Sequence, residues 1–293
     1  MMWRVRGARL FLSPSVFVLF LWMVVPLAMT LWFSFQRYNL QNPGRDGFVG
    51  LENYTSLFTD PSLWTALGNT FCLVSFVLLV SVCGGTLLAL LFDQEFFGRR
   101  WARLLVIAPF FVMPTVSALI WKNLILHPVN GVLAFVTRAS GLGVTDWFGQ
   151  WPLLSIAIIV SWQWLPFALL ILLTALQSVD PEQRQAARLD GAGSLGIFFH
   201  VLLPHLRRPL AVVVMIETIF LLTIFAEIAV TTSGGPGLAT TNLAFLIYIR
   251  GLLETDVGGA SAGGVIAVVF ANVVAIFLVR ALSRSLDVRA RQA

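Results

Sequence analysis

The chain is poor in charge. Only 11% of its 293 residues are Asp, Glu, Lys or Arg, against 58% that are hydrophobic. Soluble globular domains carry about 25% charged residues, so that class is excluded and a polytopic membrane protein is indicated. Lysine is nearly absent. The one lysine, Lys122, stands in Ile-Trp-Lys-Asn-Leu with no glycine loop before it. A phosphate-binding P-loop needs its lysine directly after the glycines, because backbone amides and the ammonium hold the phosphates together. The chain therefore has no ATP site of that type. Cysteine is scarce too: Cys72 and Cys83 share one apolar run and suggest neither a disulfide nor a metal site. The three histidines, His127, His200 and His205, lack a ligand spacing. The formal net charge of +5 comes from short arginine clusters beside apolar runs, which is no signal for nucleic acid.

What is present is a series of apolar runs. They cover residues 10–35, 69–91, 104–126, 152–176, 210–230 and 263–282. A membrane-spanning helix needs about 20 predominantly apolar residues. The first run is too long for the apolar part of a signal peptide and has no small-residue cleavage site; Pro14 and Pro26 are possible kinks in it. The pattern predicts an all-α integral membrane protein with six transmembrane helices in one transmembrane domain, residues 1–293. Arginine and lysine orient the spans. With the N-terminus inside, the inner segments hold Arg4, Arg6, Arg9, Arg99, Arg100, Arg103, Arg184, Arg188, Arg207, Arg208, Arg280, Arg284, Arg289 and Arg291, which is 14 of the 19 basic residues. The outer side keeps Arg37, Arg45, Lys122, Arg138 and Arg250. Both termini are expected in the cytoplasm, and the turn-rich segment 231–241 outside.

One polar island interrupts the apolar pattern, residues 180–210. Asp180 can cap a short helix, with Pro181 at its first position and Gln183 as capping-box partner. Gly191 can end it in the left-handed conformation. Ser194 can start a second helix, which Pro204 is expected to interrupt. Ala186 and Ala187 leave room for another surface to approach. An ordinary connecting loop is one reading; two capped half-helices favour a docking element.

This island resembles the signature of binding-protein-dependent ABC importer permeases: Glu-Ala-Ala, three residues, Gly, nine residues, Ile-x-Leu-Pro. Here it reads Gln185-Ala186-Ala187, Gly191 and Val201-Leu202-Leu203-Pro204, with Asp190 before the glycine. Gln185 replaces the glutamate and loses its charge; Val201 replaces the isoleucine. Phe48 to Tyr54 (FVGLENY), Trp121-Lys122 with Gly131, and Ser233 to Gly237 (SGGPG) are similar to the sugar-permease branch. The stretches 231–248 and 255–280 look like the sorbitol/mannitol permeases among them. The resemblance implies a type I importer fold in a bacterial inner (cytoplasmic) membrane. It also implies two ABC ATPase subunits carrying the ATP and Mg, a second homologous permease forming a heterodimer, and an extracytoplasmic substrate-binding protein. This chain would bind no cofactor and catalyse nothing. Residues 180–204 would be the coupling helix, with Gln185, Ala186, Ala187, Asp190, Gly191, Val201, Leu203 and Pro204 facing or supporting the ATPase. Gly234, Gly235 and Pro236 would form an outer turn near the binding protein.

A hydrophilic substrate needs polar groups within the spans, where they are costly. Counting ~1.5 Å per residue from Leu210 puts Glu217 roughly 10 Å and Glu227 roughly 25 Å into the fifth span. Lys122 lies at a similar depth on the third span. Two readings stand: a Lys122–Glu227 ion pair near the outer gate, or two side chains snorkelling to the interface. Gln163, Glu227, Asn272, Asn123 and Trp121 are the substrate-path candidates, since amides, carboxylates and aromatic faces suit the hydroxyls and C–H faces of a polyol or sugar. Trp121, Trp162 and Trp164 equally suit interface anchors, and Asn272 equally suits helix–helix contact. The competing function is a secondary transporter driven by an ion gradient, for which Glu217 alone stands near midplane depth. A membrane enzyme would need a nucleophile–base pair that the spans lack.

Overall fold

A computed structural model describes residues 2–42, 44, 46–141 and 143–290, and side chains between Ser13 and Arg280. Pro43, Arg45 and Arg291 lie outside the described residues, as do the side chains of Arg4, Arg6, Arg9, Arg284 and Arg289. The chain groups into two compact units interleaved in sequence: residues 1–64 with 246–270, and 65–245 with 271–293.

In the first unit, helix α1 (Met2–Ser34) contains an apolar stretch from Ser13 long enough to cross a bilayer. Val16, Phe17 and Trp22 are 61%, 61% and 79% exposed. Exposure of this kind belongs against lipid or another chain, because water would not tolerate so broad an apolar face. Two short antiparallel strands come next, β1 (Gln36–Arg37) and β2 (Gly47–Phe48), then helix α2 (Glu52–Thr59). The FVGLENY run is a clamp on the end of α1. Asn53 Nδ2 donates to the carbonyls of Ser34 and Gln36 at 2.9 and 2.8 Å, and Tyr54 donates to Ser34 Oγ at 2.7 Å. The last carbonyls of a helix have no partner within it, and here side chains supply one. Asp60 pairs with Arg250 in the same unit. Gly258 leaves space for the backbone at Gln36, whose carbonyl oxygen would lie 2.2 Å from any Cβ there.

The second unit is built mostly of helices α3 (Pro61–Asp93), α4 (Arg99–Ile107), α5 (Pro114–Ile120), α6 (Val132–Ala139), α7 (Trp147–Gln150) and α8 (Pro152–Gln177). The remaining helices are α9 (Pro181–Leu189), α10 (Ser194–Ile197), α11 (Leu203–Leu221), α12 (Ala226–Thr231), α13 (Leu243–Tyr248) and α14 (Val257–Ala290), the last two shared with the first unit. The core of the second unit packs Ala89 and Phe92 of α3 against Leu169, Leu172 and Leu176 of α8 and Leu206 and Val213 of α11. α3 and α8 approach closely at two glycines. A Cβ on Gly84 would sit 2.9 Å from Leu165 Cδ1, and one on Gly85 would sit 2.7 Å from Ala168 Cβ.

Five helices among the described residues are long and apolar enough to span: Ser13–Ser34, Pro61–Asp93, Pro152–Gln177, Ser194–Leu221 and Val257–Arg280. Four of the predicted spans are redrawn, the sixth by starting at Val257 instead of 263. The second starts at Pro61, eight residues before the expected 69. The third is not continuous: Arg99–Phe111 and Pro114–Ile125 are bent by 110° at Val112-Met113. Met113 takes the extended, polyproline-like conformation that a residue before proline favours, with φ −59° and ψ 138°. The fifth lies earlier, at Ser194–Leu221, and ends before α12. Pro204 does not interrupt it. A π-helical turn at Phe198–Leu202 runs directly into α11, a local adjustment of the kind that accommodates a proline such as Pro204 within a continuous helix.

Candidate functional site

The two breaks create the site. Where a helix stops inside a membrane, its freed backbone groups need partners and the irregular chain must lie in protein or line a cavity. At the first break, Gln163 Nε2 on α8 donates to the Val112 carbonyl at 2.8 Å. At the second, Asn242 Nδ2 donates to the Ile224 carbonyl at 2.6 Å. Two amide side chains thus satisfy backbone freed at the bend of the third span and just after the end of the fifth. Between the breaks lies a cavity of about 500 Å³. Phe110, Trp164, Phe167, Phe220 and Phe225 supply aromatic walls, and Gln163, Thr223 and Glu227 supply polar atoms. Gln163 is 6% exposed, and its Oε1 has no hydrogen-bond partner among the described residues. Among the described residues, no lysine or arginine lines the cavity.

Of the substrate-path candidates, Gln163 and Glu227 line this cavity, with Trp164 beside them. Trp121 does not; it packs edge-on against Trp162, with ring centroids 5.7 Å apart. Asn123 and Asn272 are exposed and line no part of it. The depth assigned to Glu227 needs correction, because the helix used to count it ends at Leu221 and the residue lies on α12. The Lys122–Glu227 ion pair is also corrected. Lys122 Nζ donates to the Val230 carbonyl at 3.0 Å, and no ion pair among the described residues joins it to Glu227. The ammonium still docks on α12, but at the helix's carbonyl end, where backbone acceptors lack partners. Glu217 is fully buried near Ser81, and neither side chain makes a well-formed hydrogen bond among the described residues.

The turn at Gly234, Gly235 and Pro236 is more than a surface loop. Thr240, Thr241 and Asn242 after it are buried. Asn69 of α3 donates to the carbonyls of Leu238 and Thr241, both at 2.9 Å, and Thr70 Oγ1 accepts from Leu243 N–H at 3.0 Å. Gly234 has φ +87°, and a Cβ there would lie 2.6 Å from Thr241 Oγ1. Nothing in the sequence marks Asn69, Thr70 or Asn242 for this role. A lone Asn or Thr at a span end carries no signal of what it will clamp.

The polar island forms the second part of the site. Asp180 caps α9 by accepting from Glu182 N–H at 2.9 Å, and Gly191 ends it at φ +83°. Ala192 N–H returns to the Ala187 carbonyl at 2.9 Å, closing the helix end. Gln185, Ala186, Asp190 and Gly191 are exposed, while Ala187 is half-buried. Val201, Leu203 and Pro204 are half-buried, and Val201 packs on the core. The eight motif residues therefore divide into an outward surface and a packed root. Leu189 and Leu195, 89% and 75% exposed, add an apolar pair to that surface. α9 is tied down by Arg184, which pairs with Asp93 at the end of α3 at 2.5 Å and donates to the Leu176 carbonyl of α8 at 2.7 Å.

Among known protein families, the one described as "Binding-protein-dependent transport system inner membrane component" matches residues 81–288. The "Probable ABC transporter permease protein y4oQ" of Sinorhizobium fredii is 32% identical over 95% of this chain and 90% of its own. The "Trehalose/maltose transport system permease protein MalF" of Thermococcus litoralis is 32% identical over 82% of this chain and 81% of its own. Among solved structures, a bacterial ABC transporter involved in the import of the acidic polysaccharide alginate superposes with TM-score 0.81. That match covers 97% of this chain and 98% of the other at 23% identity, which supports the shared fold.

Proposed function

The chain belongs to the family of binding-protein-dependent transport system inner membrane components, and from that premise we propose how it works. It is the permease subunit of an ABC sugar importer in the inner membrane. The ion-gradient alternative falls with the family assignment. The substrate is a neutral polyhydroxylated molecule, a polyol of the mannitol or sorbitol kind or a related sugar. The cavity between the broken spans carries this reading. Its aromatic walls suit C–H faces, and Thr223 and Glu227 suit hydroxyls. Its volume of about 500 Å³ lies in the range of small-molecule sites. The lack of a cationic wall disfavours anionic sugars, which would enter a low-dielectric site unpaired.

ATP and Mg belong to separate ATPase subunits, and α9 receives the work of hydrolysis. Its exposed Gln185, Ala186, Leu189 and Gly191 form the surface that seats in an ATPase cleft. Closure moves α9, and the Arg184 contacts carry that motion to α3 and α8. A second homologous permease and an extracytoplasmic binding protein complete the importer.

Uptake by the reconstituted importer tests the cavity. Glu227→Ala and Trp164→Leu are expected to cut uptake about tenfold or more, a loss of about 1.4 kcal/mol or greater at the transport barrier, with assembly intact. Normal transport by both variants, for mannitol, sorbitol and a disaccharide alike, would remove the cavity from the path. Asn272→Ala and Asn123→Ala are expected to transport normally.

A further inference from the structure

Three arginines of α4 surround a hollow that the transport route leaves unused. Arg99, Arg100, Arg103 and Leu104 line a space of about 390 Å³. Helical spacing explains the grouping, since positions 99 and 103 are one turn apart and 100 lies beside them. The rest of the helix is divided with equal clarity. Ala102 and Val106 pack on the core of the second unit. Trp101 and Leu105 point outward, 72% and 75% exposed, and Phe97 just before the helix is fully exposed. A cationic hollow therefore sits beside an apolar shelf, at the end of α3 where Asp93 meets Arg184 of α9.

No carboxylate among the described residues answers the charges of the hollow. No ion pair among the described residues involves Arg99, Arg100 or Arg103. Arg99 and Arg103 reach only the carbonyls of Gln94 and Phe92, at 3.2 and 3.4 Å. Arg103 Nε is buried without a partner among the described residues. Of the nearby carboxylates, Asp93 is paired with Arg184, and Glu95 does not line the hollow. Clustered guanidinium groups repel one another unless an anion bridges them, and their planar forks match phosphate oxygens. Exposed tryptophan marks the boundary between hydrocarbon and head groups.

We propose that this hollow binds the phosphodiester head group of an anionic phospholipid, whose acyl chains lie along Trp101 and Leu105. Free phosphate offers the same anion, but it makes no use of the apolar shelf. Bound lipid would anchor α4, and with it the break at Val112-Met113 that walls the cavity.

Native mass spectrometry of the full chain in detergent tests this, with phosphatidylglycerol and phosphatidylcholine as probes. Phosphatidylglycerol is expected to bind and phosphatidylcholine not. R100Q should weaken phosphatidylglycerol binding about fivefold, and R99Q/R100Q/R103Q by about a further fivefold for each added change. The control R207Q/R208Q should leave it unchanged. Among the described residues Arg99 and Arg103 make side-chain hydrogen bonds and Arg100 makes none, so the single variant guards against misfolding of the triple one. The proposal is overturned if R100Q and the triple variant bind phosphatidylglycerol like the native chain, or if the control weakens it equally. It is also overturned if millimolar inorganic phosphate strips the lipid, which would make the hollow a soluble-anion site. Loss of the lipid when the ATPase subunits assemble would make it a protein contact and overturn it as well.

Discussion

Lys122 and Glu227 show how one hydrogen bond changes a functional reading. Opposite charges at a shared counted depth suggest a gate, yet the ammonium ends on the Val230 carbonyl. Lys122→Met should therefore lower the stability of the chain in detergent by about 1–3 kcal/mol, the cost of a lost charged hydrogen bond. Combined with Glu227→Gln, the effects on thermal unfolding should add to within about 0.5 kcal/mol. Strong coupling in that double-mutant cycle would bring the ion pair back. Asp60 gives a pH-dependent case outside the spans. Burial pushes its carboxyl upward, but hydrogen bonds from Ser62 and the Arg250 guanidinium outweigh that and hold it below its ordinary value. A carboxyl lowered in the fold stabilises above its unfolded pKa and loses that contribution as pH falls through the folded one. Asp60→Asn should therefore destabilise most at neutral pH, and the gap from the native chain should close on acidification. A gap that widens in acid would contradict the assignment.

At the scale of elements, packing and attachment decide. α3 and α8 touch through Gly85, where a Cβ would meet Ala168 Cβ at 2.7 Å and the Leu169 backbone nitrogen at 3.2 Å. Backbone cannot swing aside as a side-chain tip can, so Gly85→Leu should cost about 1–3 kcal/mol or more through overpacking. Gly68→Ala, with nothing within 4 Å of its added carbon, should be tolerated. Thermal unfolding of the two variants separates packing from helix propensity. α9 makes its own prediction. Arg184→Ala should leave it folded by its caps but loosely attached, so substrate-loaded binding protein would stimulate ATP hydrolysis poorly in the assembled importer. Unchanged stimulation would mean that force passes through the α10–α11 root instead. Gln185→Glu tests the remaining charge question: on an exposed surface with intact Ala-Ala-Gly spacing, it should alter coupling little.

For the whole molecule, topology is the open measurement. With both native cysteines replaced, Leu189→Cys should react with an impermeant thiol reagent only from the cytoplasm, and Leu238→Cys only from outside. The reverse pattern would overturn the arginine-based orientation. Much of this architecture is legible in the chain because its causes are local. Apolar length announces a span, a capping aspartate and a left-handed glycine delimit α9, and scarce lysine removes a P-loop. The breaks are hidden for the same reason. Val112-Met113 and Leu222–Phe225 are as apolar as the helices around them, so hydropathy runs straight through. Asn69 and Asn53 read as ordinary loop-flanking polar residues until their carbonyl partners are seen.

Composition and local pattern are thus enough to establish the membrane class, the family signature and the exposed, capped helix at 181–189. These depend on residue totals and on contacts a few positions apart. Where two spans stop, and which side chains satisfy the carbonyls they release, emerges only once the helices pack. So does the division that puts Gln163 and Glu227 on one cavity and leaves Asn123 and Asn272 off it. Those outcomes depend on residues well apart in the chain, 18 positions between Asn242 and Ile224 and 51 between Gln163 and Val112. The physical reason is that a backbone group freed inside a membrane must find a partner, and nothing local in the chain says which one.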